Sequence, residues 1–90
     1  MSITYDELLA KMKDIHDRKN TDYGDSAHVT FVKYGLVSYL TRMDDKMNRI
    51  TSLYKKNSQL VDDEKITDTL IDLANYAVMA VEDLSRGSEG

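Results

Sequence analysis

The chain contains no cysteine, no proline and no tryptophan, and its four glycines stand at positions 24, 35, 87 and 90. Without cysteine there can be no disulfide, no thiolate metal site and no cysteine nucleophile, and a reducing cytoplasm fits such a chain. With no proline and so little glycine the backbone has few interruptions, and long helices are the natural expectation. No apolar run approaches the roughly 18 residues of a membrane span. The acidic start MSITYDELL also lacks the basic opening of a signal peptide, so a soluble, cytoplasmic protein is expected. An excess of basic charge is missing too, since 12 Lys and Arg against 16 Asp and Glu leave a net charge of −4. Such a surface is not built to coat a DNA or RNA polymer, and any phosphate recognition must be local. The 90 residues suffice for one domain, expected over 1–86 with a disordered tail at 87–90. A domain this small buries a modest fraction of its surface and gains from a partner.

What the chain does have is helical periodicity. Thr4-Tyr-Asp-Glu7 is a capping-box pattern, in which the Thr4 hydroxyl takes the amide of residue 7 while the Glu7 carboxylate reaches back to the Thr4 amide. A first helix should start there and run to about Asn20, with Leu8, Leu9, Met12 and Ile15 on its buried face. After the polar stretch KNTDYGDSAH (19–28), Val29, Phe31, Val32 and Tyr34 allow a short helical turn. Beyond Gly35, Leu36, Leu40, Met43, Met47, Ile50 and Tyr54 recur in steps of four and three, the seam of a helix packed lengthwise against another. The spacing predicts a second helix over about 36–56. Asn57 to Lys65 forms the connection, and Asp62, Asp63 and Glu64 suit the positive N-terminal end of the next helix. That third helix is expected over about 63–86, stopping before Gly87 with Arg86 near its end. Its segment Tyr76–Val81 has no charge on any face and needs cover on more than one side, which points to a homo-oligomer joined through this helix. The expected fold is all-α, a three-helix antiparallel bundle assembled as a homo-oligomer.

Three polar clusters could carry chemistry. In the first, Asp22, Asp25 and His28 surround Gly24; they read either as a helix-to-helix turn with Gly24 at positive φ or as the rim of a site. In the second, Arg42, Asp45, Lys46 and Arg49 form one stripe beside the apolar seam. They make intrahelical ion pairs worth a few tenths of a kcal/mol each, or they leave spare cations for a phosphate. In the third, Asp68, Asp72 and Asn75 share a face next to Tyr76. Two carboxylates one turn apart can hold Mg²⁺ together with a substrate phosphate, or can simply answer the cations of the second helix. His16 reads as a surface or rim residue. No glycine-rich phosphate loop, no Ser-His-Asp order and no zinc spacing occurs, so any catalysis would be carboxylate and metal work.

Taken together, Lys19-x-x-Asp22-Tyr23-Gly24-Asp25, Gly35-Leu-Val-Ser with Arg42-x-x-Asp45-Lys46-x-x-Arg49, and Asp68-Thr-Leu-x-Asp72-Leu-Ala-Asn75-Tyr76-Ala resemble the family called nucleotide modification associated domain type 1. The resemblance covers about residues 15–84. It implies a small helical protein of a kind common in bacteriophage genomes and associated with nucleotide metabolism. More distantly the chain is similar to the all-α nucleoside triphosphate pyrophosphohydrolases of the MazG kind, in which Asp72 would match the last aspartate of the second metal motif. It departs from that pattern, because Thr69 stands where a glutamate would precede Asp72 and no Glu-Glu-x-x-Glu occurs. Exchanging acid for base costs metal affinity and gains direct affinity for phosphate.

Two expectations follow. In the first, the protein binds a nucleotide or cyclic nucleotide without needing a metal: Arg42, Lys46 and Arg49 hold phosphate, Tyr23 or Tyr76 stacks on a base, Asp72 and Asn75 read its polar edge, and Asp22, Asp25 and Asp45 complete the site. In a phage protein such binding could sequester a nucleotide immune signal. In the second, Asp45, Asp68 and Asp72 ligate Mg²⁺ for pyrophosphohydrolysis. A purely structural helical module is the remaining reading.

Overall fold

The computed structural model describes residues 2–23, 25–56 and 63–89, apart from the side chains of Asp22, Tyr23, Asp63 and residues 87–89. Among the described residues there are four α-helices and no strand: α1 (Tyr5–Tyr23), α2 (Ser26–Tyr34), α3 (Val37–Lys55) and α4 (Asp63–Glu89). The all-helical class is as expected, but the count of three is corrected to four. The short turn foreseen at 29–34 is a nine-residue helix with its own N- and C-terminal breaks.

Local chemistry sets these boundaries. At the start of α1 the capping box forms in both directions, Thr4 N donating to Glu7 Oε1 and Glu7 N to Thr4 Oγ1, each at 3.1 Å. These bonds hold the Glu7 carboxyl below its usual range. Between α1 and α2 the left-handed residue is Asp25, at φ 61° and ψ 32°. Positive φ was expected of Gly24, which lies outside the described residues. Asp visits this region more readily than most residues. The Asp25 carbonyl accepts the amides of His28 and Val29 at 3.1 and 3.3 Å, whereas its carboxylate makes no cap. Between α2 and α3, Gly35 adopts φ 75° and ψ −160°, a region essentially closed to other residues. Its amide closes α2 on Phe31 O at 2.7 Å, and its carbonyl receives both the amide and the hydroxyl of Ser38 at the start of α3.

α4 is the spine, 27 residues and thus about 40 Å long. It continues through Gly87, where the expectation ended it, to Glu89. α3 packs along it, α2 packs on α3, and α1 rests on α4. The core gathers Ala27, Tyr39 and Ala80 with Phe31, Tyr76 and Met79 packed against them. Phe31 and Tyr39 meet at 5.8 Å between ring centroids, tilted by 43°, a pair worth about 0.5–1.5 kcal/mol beyond its buried area.

One expectation about α3 is redirected. The stripe whose polar groups reach α4 is Tyr39, Arg42, Lys46 and Arg49, which meet Asp83, Tyr76, Asp72 and Thr69 respectively, while of the apolar seam only Met43 and Ile50 are half-buried. Polar partners spaced along α4 hold α3 in that rotation. Much of the seam consequently faces outward.

Candidate functional site

Arg42 and Lys46 of α3 and the facing side of α4 form one wall of a cleft of about 360 Å³, and the end of α1 forms the other. α1 contributes His16, Lys19 and Asn20, and the start of α2 contributes Ser26 and Ala27. α3 contributes Arg42 and Lys46, and α4 contributes Asp72, Asn75, Tyr76 and Met79.

Asp72 stands between two lysines. Lys19 Nζ donates to its Oδ1 at 2.7 Å, and Lys46 Nζ lies 3.7 Å from its Oδ2. Lys19 is half exposed, so this pair is solvent-screened and worth about 0–1 kcal/mol. Lys19 can therefore turn from Asp72 to another anion at little cost. Arg42 lies over the ring of Tyr76, 5.8 Å from its centroid, and its Nη2 donates to Thr30 Oγ1 at 3.5 Å. Asn75 Nδ2 donates to the carbonyl of Met12 at 3.2 Å, which ties α4 to α1. Among the described residues, three full cations thus meet one carboxylate in a chain of net charge −4.

Of the residues expected to bind ligand, Arg42, Lys46, Asp72, Asn75 and Tyr76 come together here. Asp45 lies one step around α3, where it lines an adjoining groove of about 580 Å³ with Tyr34, Thr41, Arg42 and Lys46. Arg49 is on α3 two turns beyond Arg42 and donates from Nε to Thr69 Oγ1 at 3.3 Å; it is not part of the cleft lining. Asp25 is exposed at the mouth of α2 and does not line the cleft. The side chains of Asp22 and Tyr23 lie outside the described residues. Asp45, Asp68 and Asp72 do not gather into a metal-binding group. Only Asp72 lines the cleft, and among the described residues no three His, Asp or Glu side chains are grouped so as to hold an ion.

Six lining residues are not among those expected from the sequence, and two of them, Lys19 and His16, are titratable. The signal was present, since Met12, His16 and Lys19 follow one another by four and three residues on the apolar side of α1. His16 Nδ1 lies 3.1 Å from Asp17 Oδ1, and its Nε2 lies 3.5 Å from Asn20 Nδ2.

A second polar centre, not expected from the sequence, lies farther along α4. Asp83 is 2% exposed. Its Oδ2 accepts the Tyr39 hydroxyl at 2.5 Å, while its Oδ1 faces His28 Nδ1 at 2.6 Å and Arg86 Nη1 at 3.3 Å. Burial pushes this carboxyl up, but the bonds from Tyr39 and His28 and the charges of His28 and Arg86 outweigh it and leave the group below its usual range. Burial, followed by the bond to Asp83 and its charge, raises the Tyr39 phenol well above the ordinary value. One carboxylate thereby joins α2, α3 and α4, one turn beyond Met79 and two beyond Tyr76.

Residues 19–84 match the family described as nucleotide modification associated domain 1. The chain belongs to this family. The matched span runs from Lys19 of the cleft to just past Asp83, so nearly every residue of both polar centres falls within the nucleotide modification associated domain. No curated protein and no solved structure matches the chain. Among the described residues no helix of this family member is long and apolar enough to cross a membrane.

Proposed function

We propose that the protein binds a phosphate-bearing nucleotide, linear or cyclic, in the cleft between α1, α3 and α4. The observation that carries this reading is the convergence of Lys19, Arg42 and Lys46 on a cleft whose lining, among the described residues, has a single carboxylate. At about 360 Å³ the cleft is within the range of small-molecule sites, about 300–1,000 Å³. Lys19 and Lys46 exchange part of their pairing with Asp72 for phosphate oxygens. Arg42 supplies a planar donor for phosphate or a face on which a base stacks against Tyr76. Asn75 and Asp72 remain for the polar edge of the base or for a ribose hydroxyl. Tyr23 and Asp22, at the end of α1, remain candidates for ligand contact, and Asp25 and Asp45 tune the field of the site. Direct contact between cations and phosphate makes a metal unnecessary for binding.

Self-association accompanies this reading. An apolar groove runs between α1 and α4, lined by Leu9, Met12, Val78 and Val81 with Lys13 and Glu82 at its edges, and it shares His16, Asn75 and Met79 with the cleft. Val78 and Val81 are exposed. A second copy seated on α4 at this groove would cover them beside the ligand. An oligomer that binds nucleotide tightly without turning it over would suit sequestration of a nucleotide signal in the cytoplasm of a phage-infected cell.

The test is a thermal-shift screen of mono-, di- and triphosphates and cyclic nucleotides, with Mg²⁺ and with EDTA, followed by recovery of the ligand. Stabilisation that survives EDTA with intact ligand supports binding. Mg²⁺-dependent conversion to monophosphate and pyrophosphate would replace it by hydrolysis, and no shift with any nucleotide would leave a structural module.

A further inference from the structure

Among the described residues the apolar seam of α3 has no adequate cover. Leu36, Leu40, Met47 and Tyr54 are 40, 51, 49 and 72% exposed, and only Met43 and Ile50 are half-buried. α4 cannot supply the missing cover, because it is engaged by Tyr39, Arg42, Lys46 and Arg49. At about 100° of rotation per residue, the seam points roughly 100° away from that stripe. Six apolar residues in alternating steps of four and three fit the holes of a facing helix with the same repeat. A second α3 has that repeat by identity, and a two-fold axis would use each contact twice.

The exposed area allows for such a contact. The chain exposes 6798 Å², against roughly 5,400 Å² for a compact monomer of its mass. The difference, roughly 1,400 Å², exceeds the ~800 Å² that one partner contributes to a standard interface, so the seam can be covered by a second copy. The radius of gyration of 14.7 Å likewise exceeds the roughly 12 Å of a compact globule of this length.

We propose that two copies of the chain associate α3 to α3, with Leu36, Leu40, Met47 and Tyr54 of each against the same strip of the other. Arg42 and Lys46 lie roughly 100° around α3 from the seam, so this pairing leaves both clefts open and each protomer keeps a ligand site of its own. The inference rests on the exposed seam and stands apart from the nucleotide reading.

The full chain is tested by sedimentation equilibrium over a wide concentration series, beside Leu40→Glu and Met47→Glu. Both substitutions are at exposed positions, so far-ultraviolet circular dichroism should report unchanged helix. A charge buried in the seam should raise the dissociation constant about 100-fold or more and halve the mass at intermediate concentration. Because the chain has no cysteine, Leu40→Cys and Met47→Cys provide an independent check. Each should give covalent dimers with a short bismaleimide, and Lys11→Cys, on the exposed side of α1, should not. A wild type that is monomeric throughout, charged variants of wild-type mass, or equal cross-linking at position 11 would each overturn the proposal. Nucleotide-induced stabilisation measured on Met47→Glu separates the two readings, since loss of pairing should leave it in place.

Discussion

Replacing Asp83 by alanine should destabilise the fold more than any other single change to a charged side chain among the described residues. The carboxylate is 2% exposed and has three donors from three helices around it. Removing it orphans the hydroxyl of Tyr39, itself 1% exposed, at about 1–3 kcal/mol for a buried donor left without a partner. His28 and Arg86 are partly exposed and can turn to water, so their losses are discounted to about 1 kcal/mol together. The total, about 2–4 kcal/mol, corresponds to a fall in Tm of roughly 10–25 °C for a domain of this size. Asp83→Asn keeps an acceptor for Tyr39 and should cost about half as much. Tyr39→Phe should cost about 1 kcal/mol. The double variant Tyr39→Phe with Asp83→Asn should be less destabilised than the sum of the two, because the residues share one bond. Urea titrations followed at 222 nm measure all four. An Asp83→Ala variant within about 0.5 kcal/mol of wild type, the level of an ordinary surface change, would refute the view that this carboxylate joins the helices.

The same group sets an acid limb. Its folded pKa is depressed, so the stability it contributes is fully present above its ordinary value of 3.8 and is lost as pH falls through the lower folded value. Denaturant midpoints should therefore drop below about pH 4 in the wild type and drop less in Asp83→Asn. Gly35→Ala should cost about 1–3 kcal/mol although nothing crowds the added methyl group, because the penalty is one of backbone conformation. Thr4→Ala should cost about 1 kcal/mol through loss of the cap, read by chemical denaturation. Asp72→Asn raises the net charge of the cleft lining by one unit and frees Lys19 and Lys46. It should tighten binding of inorganic pyrophosphate, seen by calorimetry, and unchanged or weaker binding would argue against phosphate at those lysines.

The parts of the fold that sequence reading captured are those fixed by near neighbours. The Thr4–Glu7 box, the long helix through Ile66–Val81 and the break at Gly35 each depend on residues within one or two turns. What was missed depends on residues far apart in the chain. Glu82 and Asp83 are adjacent carboxylates at the end of an apolar run, and nothing local says that the second turns inward. That is decided by His28 and Tyr39, 55 and 44 positions away. The periodicity of α3 revealed a helix with an apolar strip but not which strip meets α4, since polar contacts to Thr69, Asp72 and Asp83 set its rotation. For the same reason five of the ten expected ligand residues line the cleft, while Arg49, in the same sequence stripe, meets Thr69 instead.

The central claim is that Lys19, Arg42 and Lys46 form an anion site for a nucleotide. Its most direct test is isothermal titration of the nucleotide that gives the largest thermal shift, in EDTA, against wild type and Lys46→Glu. Charge reversal at Lys46 leaves the Asp83 centre intact and, facing Asp72, should lower stability without loss of helix at 222 nm, while weakening binding about 100-fold, roughly 2.7 kcal/mol. Equal affinity of the two proteins for that nucleotide would contradict the account.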